Sequence, residues 1–263
     1  YRDSLCLPFY TDCIIIVMRK YMNTEEIKSA LKSEIEPLVK NILSADQAYC
    51  LLKTSADFAT GLNAGKYGNL FGFLQSIFSD KFILSVTKIF EKESQRYPMH
   101  SIPVVIALLE KHQNDLSITE RPNFLRVLND IGLERNKLEG FQDQKVTQMV
   151  VAHFRASLPD ISQKNGCALS LSLDAVKSIR DKRIAHDENV TVAKLPPVTW
   201  DELNGLLAYA KNFIGAIGWG YLSTAYENGS GGYMLSSDAL RTSTAMRRLL
   251  KQAGIEENET KDA

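Results

Sequence analysis

Residues 70–90 form the most apolar stretch of this chain, and the spacing of their side chains limits what the protein can fold into. Large apolar residues recur there at steps of three and four, among them Phe73, Ile77, Phe82 and Val86. This spacing is typical of an α-helix, and here the apolar surface covers most of the helix circumference. We therefore predict a long central helix that other helices contact on several sides.

The rest of the chain carries the same helical spacing. Asn23 precedes Glu26 at the spacing of a capping box, and Ile27, Leu31 and Ile35 then fall on one helix face. Further helical patterns occupy residues 45–60, 104–111, 122–132, 146–157, 171–186, 200–221 and 237–252. Neither an internal repeat nor a series of alternating strands is present in the pattern. The predicted fold class is all-α, a helical bundle with a long central apolar helix and a flexible C-terminal tail.

Changes in composition divide the chain into three regions. Residues 1–21 differ in texture from the amphipathic pattern that follows, and we interpret them as an N-terminal extension or an artefact. Residues 22–222 form the predicted helical domain, within which 189–198 read as an extended excursion because they contain two adjacent prolines. The glycine-rich run 229–232 is typical of a flexible linker, so we assign 223–263 to a linker and a short amphipathic tail. Residues beyond Gly229 are predicted to be dispensable for folding.

Composition restricts the partners and the compartment. Lys plus Arg and Asp plus Glu both number 31, so contact with nucleic acid must come from a local cluster of charge. The longest apolar run near the start, residues 13–18, is far shorter than the ~20 residues of a membrane helix. The four cysteines lack the spacing of a zinc site or a disulfide framework, which is typical of a reducing compartment. We predict a cytoplasmic protein with no membrane contact, no metal and no cofactor.

Two glycine-containing segments do not match the functional motifs that they resemble. The segment from Gly61 to Lys66 is one residue too short for a phosphate-binding P-loop, and Tyr67 stands where Ser or Thr would bind magnesium. The segment from Gly229 to Gly231 lacks the strand that precedes a nucleophile elbow. Three histidines have no second ligand at helical spacing and are interpreted as structural or solvent-exposed: His100, His112 and His153.

The segment that ends the helix at 171–186 has an unusual charge pattern. Leu173, Val176, Arg180 and Ile184 share one helical stripe, so Arg180 stands where the pattern favours an apolar side chain. A guanidinium there must be paired, or must face a functional cleft or another subunit. His186 lies near the end of the same helix.

This basic cluster also has an ordinary structural explanation. Lys177, Lys182 and Arg183 surround Arg180 on the last turns, where cations interact favourably with the negative end of the helix dipole. From the residues alone, a simple basic helix ending is the favoured interpretation.

A family resemblance changes that balance. An Arg followed by a polar residue and, further on, a His near the end of a late helix is the signature of the HEPN superfamily. In this chain Asp181 follows Arg180, and five residues separate Arg180 from His186, which fits the signature. The ending Ile184-Ala185-His186 is also typical of the group. The long apolar helix has Asp80-Lys81-Phe82 at its centre. With this helix and the Arg–His motif, the chain resembles the abortive-infection, AbiU-like branch of the superfamily, which is found in bacterial phage defence. The resemblance covers residues 22–222.

The resemblance implies a HEPN-like bundle that cleaves RNA without a metal as a homodimer. It assigns catalysis to Arg180, Asp181 and His186, and RNA binding to Lys177, Lys182 and Arg183. On an ideal helix Arg180 and His186 would be ~120° apart. A long Arg side chain, a loosened last turn or a second copy of the motif must therefore bring them together.

Other functions stay open at this point. The same helical dimer could be a non-catalytic module that binds RNA or protein, with the Arg–His pair stabilising an interface. A third reading is a nucleotide-handling toxin or antitoxin component, with an unidentified antitoxin or defence-system partner.

Overall fold

The computed structural model describes residues 22–94, 96, 98–159, 168–185, 198–228 and 232–258. Within these ranges every regular element is a helix, apart from an isolated bridge between Glu227 and Tyr233. The α-helices are α1 Thr24–Asp57, α2 Ala59–Ala64, α3 Gly68–Ile89, α4 Ile102–Lys111, α5 Arg121–Asp130, α6 Arg135–Leu138, α7 Asp143–Ser157, α8 Ala168–Ile179, α9 Trp200–Ile217 and α10 Ser236–Gln252. Two π-helical turns continue α8 and α9, at Arg180–Ala185 and Gly218–Leu222. The predicted all-α fold is confirmed.

The helix α1 is the centre of the bundle. It begins at a capping box in which the Asn23 side chain accepts a hydrogen bond from the Glu26 amide, and the Glu26 carboxylate accepts one from the Asn23 amide. The two helices predicted for residues 23–60 form one helix of 34 residues, which continues through Pro37. Ile27 and Leu31 are fully buried, and α1 packs against α3, α4, α9 and α10.

The helix α3 differs from its prediction in how it is buried. Its second half lies in the core, where Phe82, Val86 and Ile89 are almost completely buried. Its first half is open, because Phe73 is 65% exposed and Ile77 is 45% exposed. The prediction of a central helix that other helices contact on several sides is therefore wrong for the first half of α3. The spacing of apolar residues shows which faces of a helix need a partner, but it does not show whether a partner is present. In the structure α1 covers only part of α3.

Phe82 provides a test of the buried half of α3. We expect Phe82→Ala to lower the free energy of unfolding by about 3–5 kcal/mol, because it leaves a cavity in a packed core. Lys81→Ala, at the exposed neighbouring position, should change it by less than about 0.5 kcal/mol. Urea unfolding followed by circular dichroism measures both variants. Equal stability of the two variants would contradict the burial of Phe82.

The C-terminal helix α10 packs onto α1, so the prediction of a flexible tail is wrong. Leu250 is buried against Phe58 and Leu62 in a second apolar cluster, and Ile255 completes that cluster. The Ser243 and Thr54 hydroxyls are hydrogen-bonded at 2.9 Å. The glycine-rich composition of 229–232 predicts a linker but carries no information about the surface on which the following helix docks.

Two further observations fix the end of the described chain against α1 and α2. Arg247 pairs with Asp57 at the end of α1. A Cβ atom at Gly61 would lie 2.7 Å from the carbonyl oxygen of Glu256, so only glycine allows the backbone after α10 to approach this closely.

Among the described helices, none has the length and apolarity to cross a membrane. The expectation for the extended excursion concerns residues 189–198, and of these all but 198 lie outside the described residues.

Candidate functional site

The site predicted from the sequence lies where α8 changes into a π-helical turn at Arg180–Ala185. Hydrogen bonds of a π-helix join residues five apart, so the turn is wider than an α-helical turn, and such turns are frequent at functional sites. Leu173 and Val176 are buried in the core, and Ile184 is partly buried against it. The predicted apolar stripe is therefore confirmed, and Arg180 interrupts it.

Arg180 lies between two carboxylates. Its Nη1 donates to Glu91 Oε2 at 2.7 Å, and its Nε donates to Asp181 Oδ1 at 2.7 Å. The Arg180 side chain is 25% exposed. Partial burial acts to lower the pKa of Arg180, but the hydrogen bonds to Asp181 and Glu91 outweigh burial and raise it. The guanidinium is thus paired and charged at any physiological pH.

The paired Arg180 guanidinium still has hydrogen-bond donors for a ligand. Two of its five N–H donors serve the bonds to Glu91 and Asp181, which leaves up to three for a phosphate as far as the described residues are concerned. Because the two carboxylates fix the Nε and Nη1 edges, they also fix the plane in which the remaining donors lie. Such a held guanidinium is suited to a bidentate grip on phosphate oxygens.

Glu91 is a residue that sequence reasoning missed. It follows Phe90 directly after α3, and its own backbone carbonyl accepts a hydrogen bond of 2.7 Å from the buried Ser101 hydroxyl at the start of α4. The partner Arg180 is 89 residues further along the chain. The only signal in the sequence is a charged residue at the end of an apolar helix, which does not identify a partner so far away.

The other predicted site residues are placed as follows. Lys177 is half-buried, one helical turn before Arg180, and Lys182 is half-buried in the π-helical turn. The Arg183 backbone belongs to that turn, but its side chain lies outside the description, as does all of His186. The structure therefore brings Arg180 and Asp181 into contact and leaves the position of His186 as a prediction. The π-helical turn at Arg180–Ala185 is a loosened last turn, and the approach of Arg180 to His186 stays a prediction.

The remaining histidines lie on other elements. The ring of His100 is 2.8 Å from the Glu34 carboxylate, and His112 is mostly buried at the end of α4. Burial lowers the pKa of His153, which packs edge-on against Phe154 in α7. The described residues contain no group of three or more His, Cys, Asp or Glu that could hold a metal ion.

A comparison with protein-family models places the chain. The model of AbiU2, a HEPN family, matches residues 28–241, which is most of the chain and includes the whole segment from Arg180 to His186. The chain belongs to the AbiU2 family of HEPN proteins. The resemblance to the AbiU-like branch is thereby confirmed, and the protein is a HEPN-type member of an abortive-infection family.

The AbiU2 match extends past residue 222 into α10, the helix that packs onto α1. No curated protein and no solved structure matches the chain.

Proposed function

We propose that this AbiU2-family protein is a metal-independent endoribonuclease that acts as a homodimer through Arg180 and His186. The observation that carries the proposal is the AbiU2 match across a motif whose arginine is held in place by two carboxylates. HEPN resemblance supplies the reaction class, and the geometry around Arg180 supports its role as the phosphate-binding group.

The reaction needs a base, an acid and a cation. The 2′-hydroxyl of RNA loses its proton to a base, its oxygen bonds to the adjacent phosphorus, and the bond to the 5′-oxygen breaks as an acid protonates that oxygen. The products are a 2′,3′-cyclic phosphate and a 5′-hydroxyl end. We assign proton transfer in this reaction to His186, because an imidazole with an ordinary pKa of ~6.5 can both accept and donate a proton near working pH. Arg180 stabilises the charge that develops on the phosphorane-like transition state.

The flanking residues have supporting roles in this proposal. Asp181 orients the guanidinium through its bond to Nε, and Glu91 does the same through Nη1. Lys177, Lys182 and Arg183 hold the RNA backbone by charge. No cofactor is required.

Arg180→Lys tests the proposal because it keeps the charge and removes the planar fork of donors. We expect the cleavage rate of a single-stranded RNA, measured with a chelator present, to fall by about 10²-fold or more. Arg241→Lys is the matched control, since Arg241 is 82% exposed on α10. Equal cleavage by both variants, with thermal midpoints unchanged, would contradict a role for the Arg180 guanidinium.

The alternative is a non-catalytic module that binds RNA or protein. The pairing of Arg180 with Glu91 and Asp181 is the observation that favours it, because a paired guanidinium can serve structure alone. In that case pure protein would bind RNA without producing 2′,3′-cyclic phosphate ends.

The open half of α3 supports a homodimer. Leu70, Phe73 and Ile77 follow one another at steps of three and four and are each at least 45% exposed, so they form one apolar face. Two copies of one face can pack about a two-fold axis, which buries both. The same helix packs against the π-helical turn that carries Arg180.

Phe73→Glu tests this interface. A carboxylate at its centre would be desolvated on association, so we expect sedimentation equilibrium to show a dimer for the wild type and a monomer for the variant. Leu240→Glu, at an exposed leucine of α10, should remain dimeric. A wild type that is monomeric at every concentration would rule out the homodimer.

A further inference from the structure

The buried Ser101 precedes α4 but does not cap that helix. Serine is a preferred N-cap residue because its side-chain oxygen usually accepts a hydrogen bond from an amide of the first turn. Ser101 occupies the N-cap position with an extended backbone, yet its side chain makes no capping bond. Its hydroxyl instead donates to the backbone carbonyl of Glu91 at 2.7 Å. The side chain of this serine therefore binds the segment after α3 and not its own helix.

The bond from Ser101 closes the connection between α3 and α4. Glu91 and Ser101 are ten residues apart and stand at the two ends of this connection. Before Glu91, Phe90 is 2% exposed and packs in the core. Before Ser101, the ring of His100 is 2.8 Å from the Glu34 carboxylate of α1. The backbone at Glu91 is therefore held by the core on one side and by the start of α4 on the other.

The side chain of Glu91 connects this held backbone to the candidate site. Its Oε2 accepts a hydrogen bond from Arg180 Nη1 at 2.7 Å. The other carboxylate on the guanidinium, Asp181, is the next residue and belongs to the same π-helical turn as Arg180. A carboxylate on the same turn moves with that turn, whereas Glu91 belongs to another part of the chain. Glu91 is therefore the contact that can fix the Arg180 guanidinium relative to the bundle.

We propose that Ser101 is a positioning residue of the Arg180 site. Its hydroxyl holds the Glu91 backbone, so that the Glu91 carboxylate fixes the plane of the Arg180 guanidinium. Functional groups are held precisely when their supporting residues are themselves locked by hydrogen bonds and packing. For its effect on RNA cleavage the inference rests on the proposed function, because a displacement of ~1 Å in a reacting group can slow a reaction by ~10²-fold.

A set of variants separates this role from a purely structural one. Ser101→Ala removes the donor, and Ser101→Gly removes it with a second residue that an N-cap position accepts. Glu91→Ala removes the carboxylate but keeps the carbonyl that Ser101 binds. Ser55→Ala is the matched control, because Ser55 on α1 is also fully buried and donates to the Leu51 carbonyl at 2.9 Å. Circular dichroism and the thermal midpoint establish that each variant folds.

The first measurement is the rate of rotation about the Cζ–Nη1 bond of Arg180, followed by heteronuclear NMR on arginine-labelled protein. The Arg180 signal is assigned by its absence in Arg180→Lys. We expect Glu91→Ala to speed this rotation by about tenfold or more, because a charge-assisted hydrogen bond is lost. Both variants at Ser101 should speed it by about threefold or more, and Ser55→Ala should leave it unchanged.

The second measurement is single-turnover cleavage of RNA with a chelator present. We expect Ser101→Ala to lower the rate by about tenfold when Glu91 is present. In the Glu91→Ala background the same change should alter the rate by less than about twofold, because the serine acts through the carboxylate. A merely structural role would lower the rate equally in both backgrounds, and this result would overturn the proposal. An Arg180 rotation that does not respond to either variant at Ser101 would overturn it as well.

The positioning role and the catalytic proposal fail separately. If the rotation of Arg180 responds to the Ser101 variants but the wild-type protein does not cleave RNA, the positioning role stands and the ribonuclease proposal falls. If the protein cleaves RNA and the rotation does not respond, the ribonuclease proposal stands and the positioning role falls.

Discussion

Replacing His186 by Ala is expected to slow RNA cleavage by about 10²–10⁴-fold, the usual contribution of a positioned proton-transfer group. The RNA affinity should stay close to that of the wild type, because in our proposal Arg180, Lys177, Lys182 and Arg183 bind the RNA. Single-turnover cleavage with a chelator present measures the rate, and anisotropy measures the affinity. This combination separates loss of chemistry from loss of binding.

Control variants sharpen the expected result. His153→Ala removes a histidine of α7 outside the AbiU2 motif, and it should leave the rate within about twofold of wild type. A His186→Ala protein that cleaves at the wild-type rate would remove His186 from the mechanism. Equal rate losses in both histidine variants would indicate damage to the fold.

Mixed dimers show whether two chains share one cleft. A dimer of one wild-type chain and one His186→Ala chain should have well below half of full activity if base and acid come from different chains. Independent sites would retain about half, and this result would contradict the composite site.

The second large effect concerns α10. Cutting the chain after Asn228 is expected to lower the thermal midpoint by about 10 °C or more. The reason is that the apolar surface between α10 and the core, whose burial stabilises the fold by several kcal/mol, becomes exposed. Leu250 and Ile255 would leave a buried cluster, and Phe58 and Leu62 would become exposed. The hydrogen bond between Ser243 and Thr54 and the pair between Arg247 and Asp57 would be lost as well.

Two adjacent leucines provide a matched pair for this test. Leu250 is 2% exposed, whereas Leu249 is 63% exposed. We expect Leu250→Ala to cost about 2–5 kcal/mol and Leu249→Ala less than about 0.5 kcal/mol. Urea unfolding measures both. A truncated protein with an unchanged midpoint, or two leucine variants of equal stability, would show that α10 does not stabilise the core.

The start of α1 shows what could be predicted locally. The capping box of Asn23 and Glu26 and the buried face from Ile27 to Leu31 depend on residues within one or two helical turns. The join of the two predicted helices into one could not be foreseen, because Pro37 and the polar residues Asn41 and Ser44 are compatible with either outcome. Packing of α1 against four other helices decides for the continuous helix.

Arg180 shows the same division at the candidate site. Its place on an apolar stripe predicts that the guanidinium needs a partner, since an unpaired charge there would be costly. The stripe does not say whether that partner is a residue of this chain, a ligand or another subunit. In the structure Glu91 and Asp181 both bind it, and only Asp181 is near in sequence.

The sequence by itself determined the helical class, the capping of α1, the position of the Arg180 motif and the membership of the AbiU2 family. These features follow from the order of residues over a few turns or from a pattern along the chain. The tertiary structure decided which helix is central, that the first half of α3 is open, that α10 docks, and that Glu91 binds Arg180. Each of those features depends on contacts between surfaces that are tens of residues apart in the chain. The periodicity of a helix cannot predict such contacts, because it shows only that a surface needs a partner.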